Sequence, residues 1–181
     1  MQLNQTGNAL RGALPLLLAA TCSTDAETFP LDYRVKASYL LNLLRFIEWP
    51  YDGDYPNGRF NFYVSGTGNL DAFYALDGQR VQNRTISVQR IGDPDGTRLA
   101  KCQLLFVGGD KPLRSIPIAR GLLTVGESEG FTARGGIVNL LLFNGRVRFE
   151  MSEELAQSCG FMIDNRLSKL NMPSWYTAQV P

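Results

Sequence analysis

Leu104-Leu105-Phe106-Val107, answered further on by Leu122-Leu123-Thr124-Val125, carries the fold of this chain. Four apolar residues in a row between turn signals do not alternate, so neither face of that strand meets water. Such strands belong to parallel sheets covered on both sides. Toward the N-terminus, Arg84-Thr85-Ile86-Ser87-Val88-Gln89-Arg90-Ile91 alternates with period two, as a half-exposed strand does. Before it, Phe60-Asn61-Phe62-Tyr63-Val64 reads as a strand, and Gly66-Thr67-Gly68 turns the chain into a short helix over Asn69 to Leu76, with Asn69 as its N-cap. A second short helix is expected around Lys111 to Ala119. Strands interleaved with helices imply an α/β fold: one domain with a largely parallel central sheet and helices on both faces.

Toward the C-terminus the pattern changes. Ile137-Val138-Asn139-Leu140-Leu141-Leu142-Phe143 and Arg146-Val147-Arg148-Phe149-Glu150-Met151 flank Asn144-Gly145. That dipeptide accepts positive φ at both central positions, so a two-residue antiparallel hairpin closes the sheet. Gly135-Gly136 supplies backbone freedom on entry to it. Ser152 caps a helix with Glu153 and Glu154 in its first turn, where the helix dipole favours negative charge. Gly160 breaks that helix before a last turn or two through Leu170. Near the start of the domain, Tyr33 to Trp49 reads as a helix stopped by Trp49-Pro50. Arg34, Ser38, Asn42, Arg45 and Glu48 form its polar stripe, and the remaining wide apolar face predicts cover on more than one side.

The chain has 181 residues, 44% apolar, with 18 basic and 17 acidic side chains and no His. The near-neutral balance argues against nucleic-acid binding through bulk charge. Lack of His removes Ser-His-Asp and Cys-His catalysis and His-ligated metals. Ala13-Leu14-Pro15-Leu16-Leu17-Leu18-Ala19-Ala20 is too short to span a bilayer and has the length of a signal-peptide core. The expected division is a signal peptide over 1–26 and an α/β domain over 27–181, its core about 34–170. Lipidation at Cys22 is the weaker reading of the same segment, because Thr21 is a poor neighbour for an acceptor cysteine. An exported chain keeps two further cysteines, Cys102 and Cys159. They are either a disulfide closing a loop of roughly 57 residues, worth about 4 kcal/mol, or two buried thiols.

Other chemistry-bearing residues have bland readings beside the functional ones. Lys36 falls on the apolar side of the first helix, as a cation paired with a carboxylate or, more simply, as a lysine snorkelling from the first turn. Trp49 can anchor a partner, but core packing explains it too. Gly66-Thr67-Gly68 lacks the third glycine of a dinucleotide loop and has Asp71 there instead, a carboxylate that repels phosphate. Gly126-Glu127-Ser128-Glu129-Gly130 offers carboxylates to a cation, but its spacing is no EF-hand, and a solvated loop is the simpler reading. Arg146 and Arg148 share one face of the second hairpin strand, which suits either an acidic partner or water. No catalytic residue, metal or cofactor is expected.

Four stretches, taken in order, resemble the YfiR family of bacterial periplasmic proteins. They are Val35-Lys36-Ala37-Ser38-Tyr39-Leu40-Leu41-Asn42 with Phe46-Ile47-Glu48-Trp49-Pro50; Cys102-Gln103-Leu104-Leu105-Phe106-Val107; Leu123-Thr124-Val125-Gly126-Glu127 with Gly130-Phe131 and Gly135-Gly136-Ile137-Val138-Asn139; and Val147-Arg148-Phe149-Glu150-Met151-Ser152 leading to Leu167-Ser168-Lys169-Leu170. The resemblance implies an exported α/β domain, often dimeric, without catalytic activity. It implies as partner the periplasmic part of an inner-membrane diguanylate cyclase, whose cyclic-di-GMP output the protein represses. Ser152 stands where an Asn is common in the family. Redox-sensitive members carry cysteines near the positions of Thr132 and Asn139 here, so disulfide-based regulation is not implied for this chain. The residues expected at an interface are Lys36, Tyr39, Leu43, Trp49, Arg146 and Arg148. The competing expectation is a periplasmic small-molecule binder using the crevice at the carboxyl ends of the parallel strands.

Overall fold

The computed structural model describes residues 31–50, 58–94, 96–109 and 115–171. The expected signal peptide, Cys22 and its lipidation, and most of the loop around Tyr51 to Gly58 lie outside them. In chain order the elements begin with α1 (Leu31–Leu43), β1 (Ile47–Glu48), β2 (Arg59–Gly66), a 3-10 helix (Leu70–Leu76), β3 (Arg80–Val81) and β4 (Arg84–Arg90). They continue with α2 (Gly96–Leu99), β5 (Leu104–Gly108), β6 (Leu123–Gly126), β7 (Val138–Phe143), β8 (Arg146–Met151), α3 (Glu153–Ser158), β9 (Met162–Ile163) and α4 (Asn165–Ser168).

Seven strands form one sheet in the order β3-β4-β2-β5-β6-β7-β8. The pairs β4–β2, β2–β5, β5–β6 and β6–β7 are parallel, and the outer pairs β3–β4 and β7–β8 are antiparallel. The α/β architecture expected from alternation is therefore present. Alternate residues of a strand point to opposite faces, and β5 shows the consequence. Leu104 and Phe106 enter the main core, while Leu105 and Val107 enter a second cluster with Leu99 of α2 and Phe131. On the main face, Ala37, Leu40 and Leu43 of α1 and Leu70, Phe73 and Leu76 of the 3-10 helix cover Phe60, Phe62, Phe106 and Val125. Phe73 is the centre of that packing, 4.3 Å from Phe106 and 5.7 Å from Phe62 between ring centroids.

The C-terminal hairpin forms as expected. Asn144 and Gly145 take φ of 49° and 70°, and Phe143 pairs with Arg146 across the turn. Ser152 accepts a hydrogen bond from the Leu155 amide at 3.4 Å and caps α3. Four local expectations need correction. The first helix does not run to Trp49: it ends at Leu43, tightens into a 3-10 turn over Leu44–Phe46, and becomes β1, which pairs with β9. This tertiary pairing claims Ile47 and Glu48, and Gly160, at φ 90°, makes room there for Pro50. Asn69 makes no side-chain cap, and the helix after it is 3-10. Of the helix expected over Lys111 to Ala119, the described residues 115–119 are not helical and the rest lie outside the described residues. Finally, β3 was not foreseen; Gln82 and Asn83, at φ 46° and 63°, make a second tight hairpin into β4.

Candidate docking surface

In an α/β sheet, ligands enter where the chain switches direction, at the carboxyl ends of the flanking strands. Here the chain leaves β2 for β4 on one side and returns to β5 on the other, so the switch lies between the ends of β2 and β5. That crevice is filled from within. The Thr67 amide donates to the Gly108 carbonyl at 3.0 Å across it. The Tyr33 hydroxyl occupies the space that a Cβ on Gly68 would need, and the Thr67 side chain does the same at Gly109.

Glu127, just past the end of β6, locks the plug. Its Oε1 accepts from the Tyr33 hydroxyl at 2.7 Å and from the Gly109 amide at 2.5 Å, and its Oε2 pairs with Lys36 Nζ at 2.8 Å. Lys36 Nζ also stands 5.0 Å from the centroid of the Tyr33 ring. Both charged side chains are under 10% exposed. Three donors from α1 and the end of β5 satisfy the carboxylate, which is the condition for burying it. Of the two readings of Lys36, the structure shows the buried cation paired with a carboxylate and not the snorkelling lysine, which leaves little of it for an interface; Glu127 does not belong to a solvated loop. Sequence reasoning named Glu127 as a carboxylate open to a cation but did not join it to Lys36, and it missed Tyr33. The available signal was a lysine on an apolar helix face together with a glutamate directly after a fully buried strand.

Two other interface expectations also fail, for lack of exposure. Leu43 is 2% exposed beneath α1, and Trp49, at 7%, packs edge-on against Phe60 and Phe161 at 5.0 and 5.4 Å. Cys102 and Cys159 are free, buried thiols in the two different clusters, so the sheet separates them and the bridge considered from the sequence is not made. Cys102 Sγ donates to the Leu104 carbonyl at 3.1 Å, and burial pushes its pKa up to about 12, so it is no nucleophile. At the two positions where redox-sensitive relatives are expected to carry cysteines, polar bonds tie the loop after β6 to the hairpin. Thr132 donates to Glu150 at 2.5 Å, and the Asn139 amide donates to the Ser128 carbonyl at 2.9 Å.

The remaining three expected residues lie on or beside the outer strand of the sheet. Arg146 and Arg148 are exposed on β8, and among the described residues neither makes an ion pair. Tyr39 of α1 packs against Phe149 of the same strand, with ring centroids 6.2 Å apart. Burial raises the Tyr39 pKa, and the Arg148 charge opposes that rise, which places the guanidinium within electrostatic reach of the phenol. Leu142, opposite Val147 in the hairpin, is 57% exposed. A separate open groove of about 850 Å3 runs between α1 and the 3-10 helix, bordered by Arg34, Ser38, Asn42, Asp71 and Gln79. Arg34, Ser38 and Asn42 of the predicted polar stripe form part of one wall, with apolar side chains such as Leu41 and Leu76 between the polar ones.

Among the described residues, no helix is long and apolar enough to cross a membrane, and no three His, Cys, Asp or Glu side chains group to hold a metal. No curated protein matches this chain. The family model described as YfiR/HmsC-like (DUF4154) covers residues 33–171, from the first turns of α1 to just past α4. That is well over half of the sequence, and the chain belongs to the YfiR/HmsC-like family.

Proposed function

We propose that this protein is a periplasmic regulator without catalytic activity that binds the periplasmic part of an inner-membrane diguanylate cyclase and holds it in its inactive state. The observation that carries this reading is the sealed crevice. Where an α/β sheet offers its substrate site, the Lys36–Glu127 pair and Tyr33 fill the space. The cationic side chains left for recognition include Arg146 and Arg148, at the sheet edge beside Tyr39. Family membership supports the same reading and suggests the sensor partner. The filled crevice supports this reading over a small-molecule binder seated at the same strand ends.

The mechanism is a shift of population. A regulator that binds the inactive cyclase a few kcal/mol more tightly than the active one moves most of the cyclase into the inactive state, and its removal restores output. Deleting the gene should raise cellular cyclic-di-GMP several-fold, and re-expression of the full chain should lower it again. Unchanged cyclic-di-GMP in the deletion strain, or purified protein turning over a substrate, would overturn the proposal. Tyr39→Asp is the informative variant for the surface, because Tyr39 is only half-buried whereas Leu43→Asp would disrupt the core.

A further inference from the structure

The outer edge of β8 has a polarity that follows from one hydrogen-bonded pair. Asn171 Oδ1 accepts from the Met151 amide at 2.8 Å, and Asn171 Nδ2 donates to the Met151 carbonyl at 3.1 Å. Both backbone groups of Met151 therefore face away from β7, and the side-chain amide of Asn171 stands in for a neighbouring strand. Backbone direction alternates along an antiparallel strand, so the N–H and C=O groups of Phe149 and Val147 point outward as well. Among the described residues, nothing bonds them. Their side chains face the core with Tyr39 packed above, while Arg146 and Arg148 project from the opposite face.

Deepening the docking reading above, and resting on it, we propose that β8 recruits its partner by strand addition, and that the added strand alternates acidic with apolar residues. An extended segment beside β8 completes the backbone ladder at Val147 and Phe149. Its side chains on one face meet Arg146 and Arg148, and opposite charges across neighbouring strands attract while like charges repel. Its side chains on the other face meet Tyr39, with Val35, itself 42% exposed, one helical turn away on α1.

Two nearer occupants fit worse. A second copy pairing antiparallel through β8 must keep the faces matched, so its register centres on a residue. Centred on Val147 or Arg148, it sets Arg146 against Arg148 or Arg148 against itself. Centred on Phe149, it needs the Met151 backbone that Asn171 already holds. The chain's own C-terminal segment, continuing antiparallel from Asn171 opposite Met151, would bring Pro173 opposite Phe149, where the ladder needs an N–H that proline lacks.

The test uses the full protein and two synthetic peptides, Thr-Glu-Val-Glu-Val-Glu-Thr and its lysine counterpart, with amide hydrogen exchange followed residue by residue. The acidic peptide should protect the Val147 and Phe149 amides saturably, and at least 10-fold more tightly than the basic one. Arg146→Glu with Arg148→Glu should invert that preference, and Val147→Pro, checked for a native melting transition, should abolish protection. No protection by either peptide, or equal protection by both, would overturn the proposal. So would protection already present in the free monomer, which assigns the edge to the chain itself, or protection that appears with protein concentration alone, which assigns it to a second copy. A cyclase that responds to the protein while these amides stay unprotected leaves the regulator standing and removes strand addition. Saturable protection with no effect on cyclic-di-GMP does the reverse.

Discussion

The carboxyl end of the sheet and its β8 edge both carry basic side chains, and the two places treat them in opposite ways. At the carboxyl end, Lys36 is buried with Glu127, Tyr33 and the Gly109 amide around it. At the edge, Arg146 and Arg148 are exposed and make no ion pair among the described residues. A buried charge must have its partner built in, because removing it from water costs several kcal/mol that only a close pair offsets. An exposed charge costs little and stays available. The first arrangement fills the strand ends where α/β folds commonly bind ligands, and the second leaves two charges exposed at the sheet edge, where the proposed partner docks.

The comparison breaks most visibly at Lys36. Lys36→Met leaves the Glu127 carboxylate buried and unpaired and should cost about 3–5 kcal/mol in urea unfolding. Adding Glu127→Gln, which keeps an acceptor for Tyr33 and Gly109, should recover at least half of that loss. Arg146→Glu with Arg148→Glu is the control at the edge and should change stability by less than about 0.5 kcal/mol. Equal effects at the two places would show that burial does not distinguish them.

A smaller effect sharpens the edge itself. Asn171→Ala removes both bonds to the Met151 backbone and should lower stability by about 1–2 kcal/mol, at roughly 0.5–1.5 kcal/mol for each bond. Exchange at the Met151 amide should speed up while that of Glu150, which faces β7, stays slow. If both amides accelerate together, the hairpin is opening and Asn171 is not a local cap.

The last effect is seen only at alkaline pH and concerns the Cys102 thiol, which lies just before β5. Cys102 keeps its proton in the folded protein up to about pH 12, against an ordinary value of 9.0. Above pH 9 the unfolded chain therefore loses that proton first, and stability falls as pH rises from about 9 toward 12. The slope is at most about 1.4 kcal/mol per unit from this group. Below pH 9 the contribution is complete. Cys102→Ala should flatten that part of the profile, and in the native protein Cys102 should resist maleimide labelling until urea is added.

How much of this was legible depended on how local the physics was. The Asn144-Gly145 hairpin, the Ser152 cap and the unbroken apolar run of β5 are each decided within a few residues, and the structure agrees with all three. The arginines of β8 were also readable, since period-two alternation puts them together whatever lies beyond. Where the reading went astray, the deciding partner was distant in sequence. Ile47 and Glu48 left the helix because Ile163 and Met162 pair with them, and the sequence left Lys36 between a paired and a snorkelling cation because its partner Glu127 lies 91 residues away.

The amino-acid order alone thus established the α/β class, the closing hairpin, the family resemblance and the pair of cations on one strand face. These follow from periodicity and turn chemistry, which act over a few residues. Only the tertiary structure decided which charges are buried, which thiols are apart and which backbone groups remain open, because burial and pairing are set by where strands and helices meet in space.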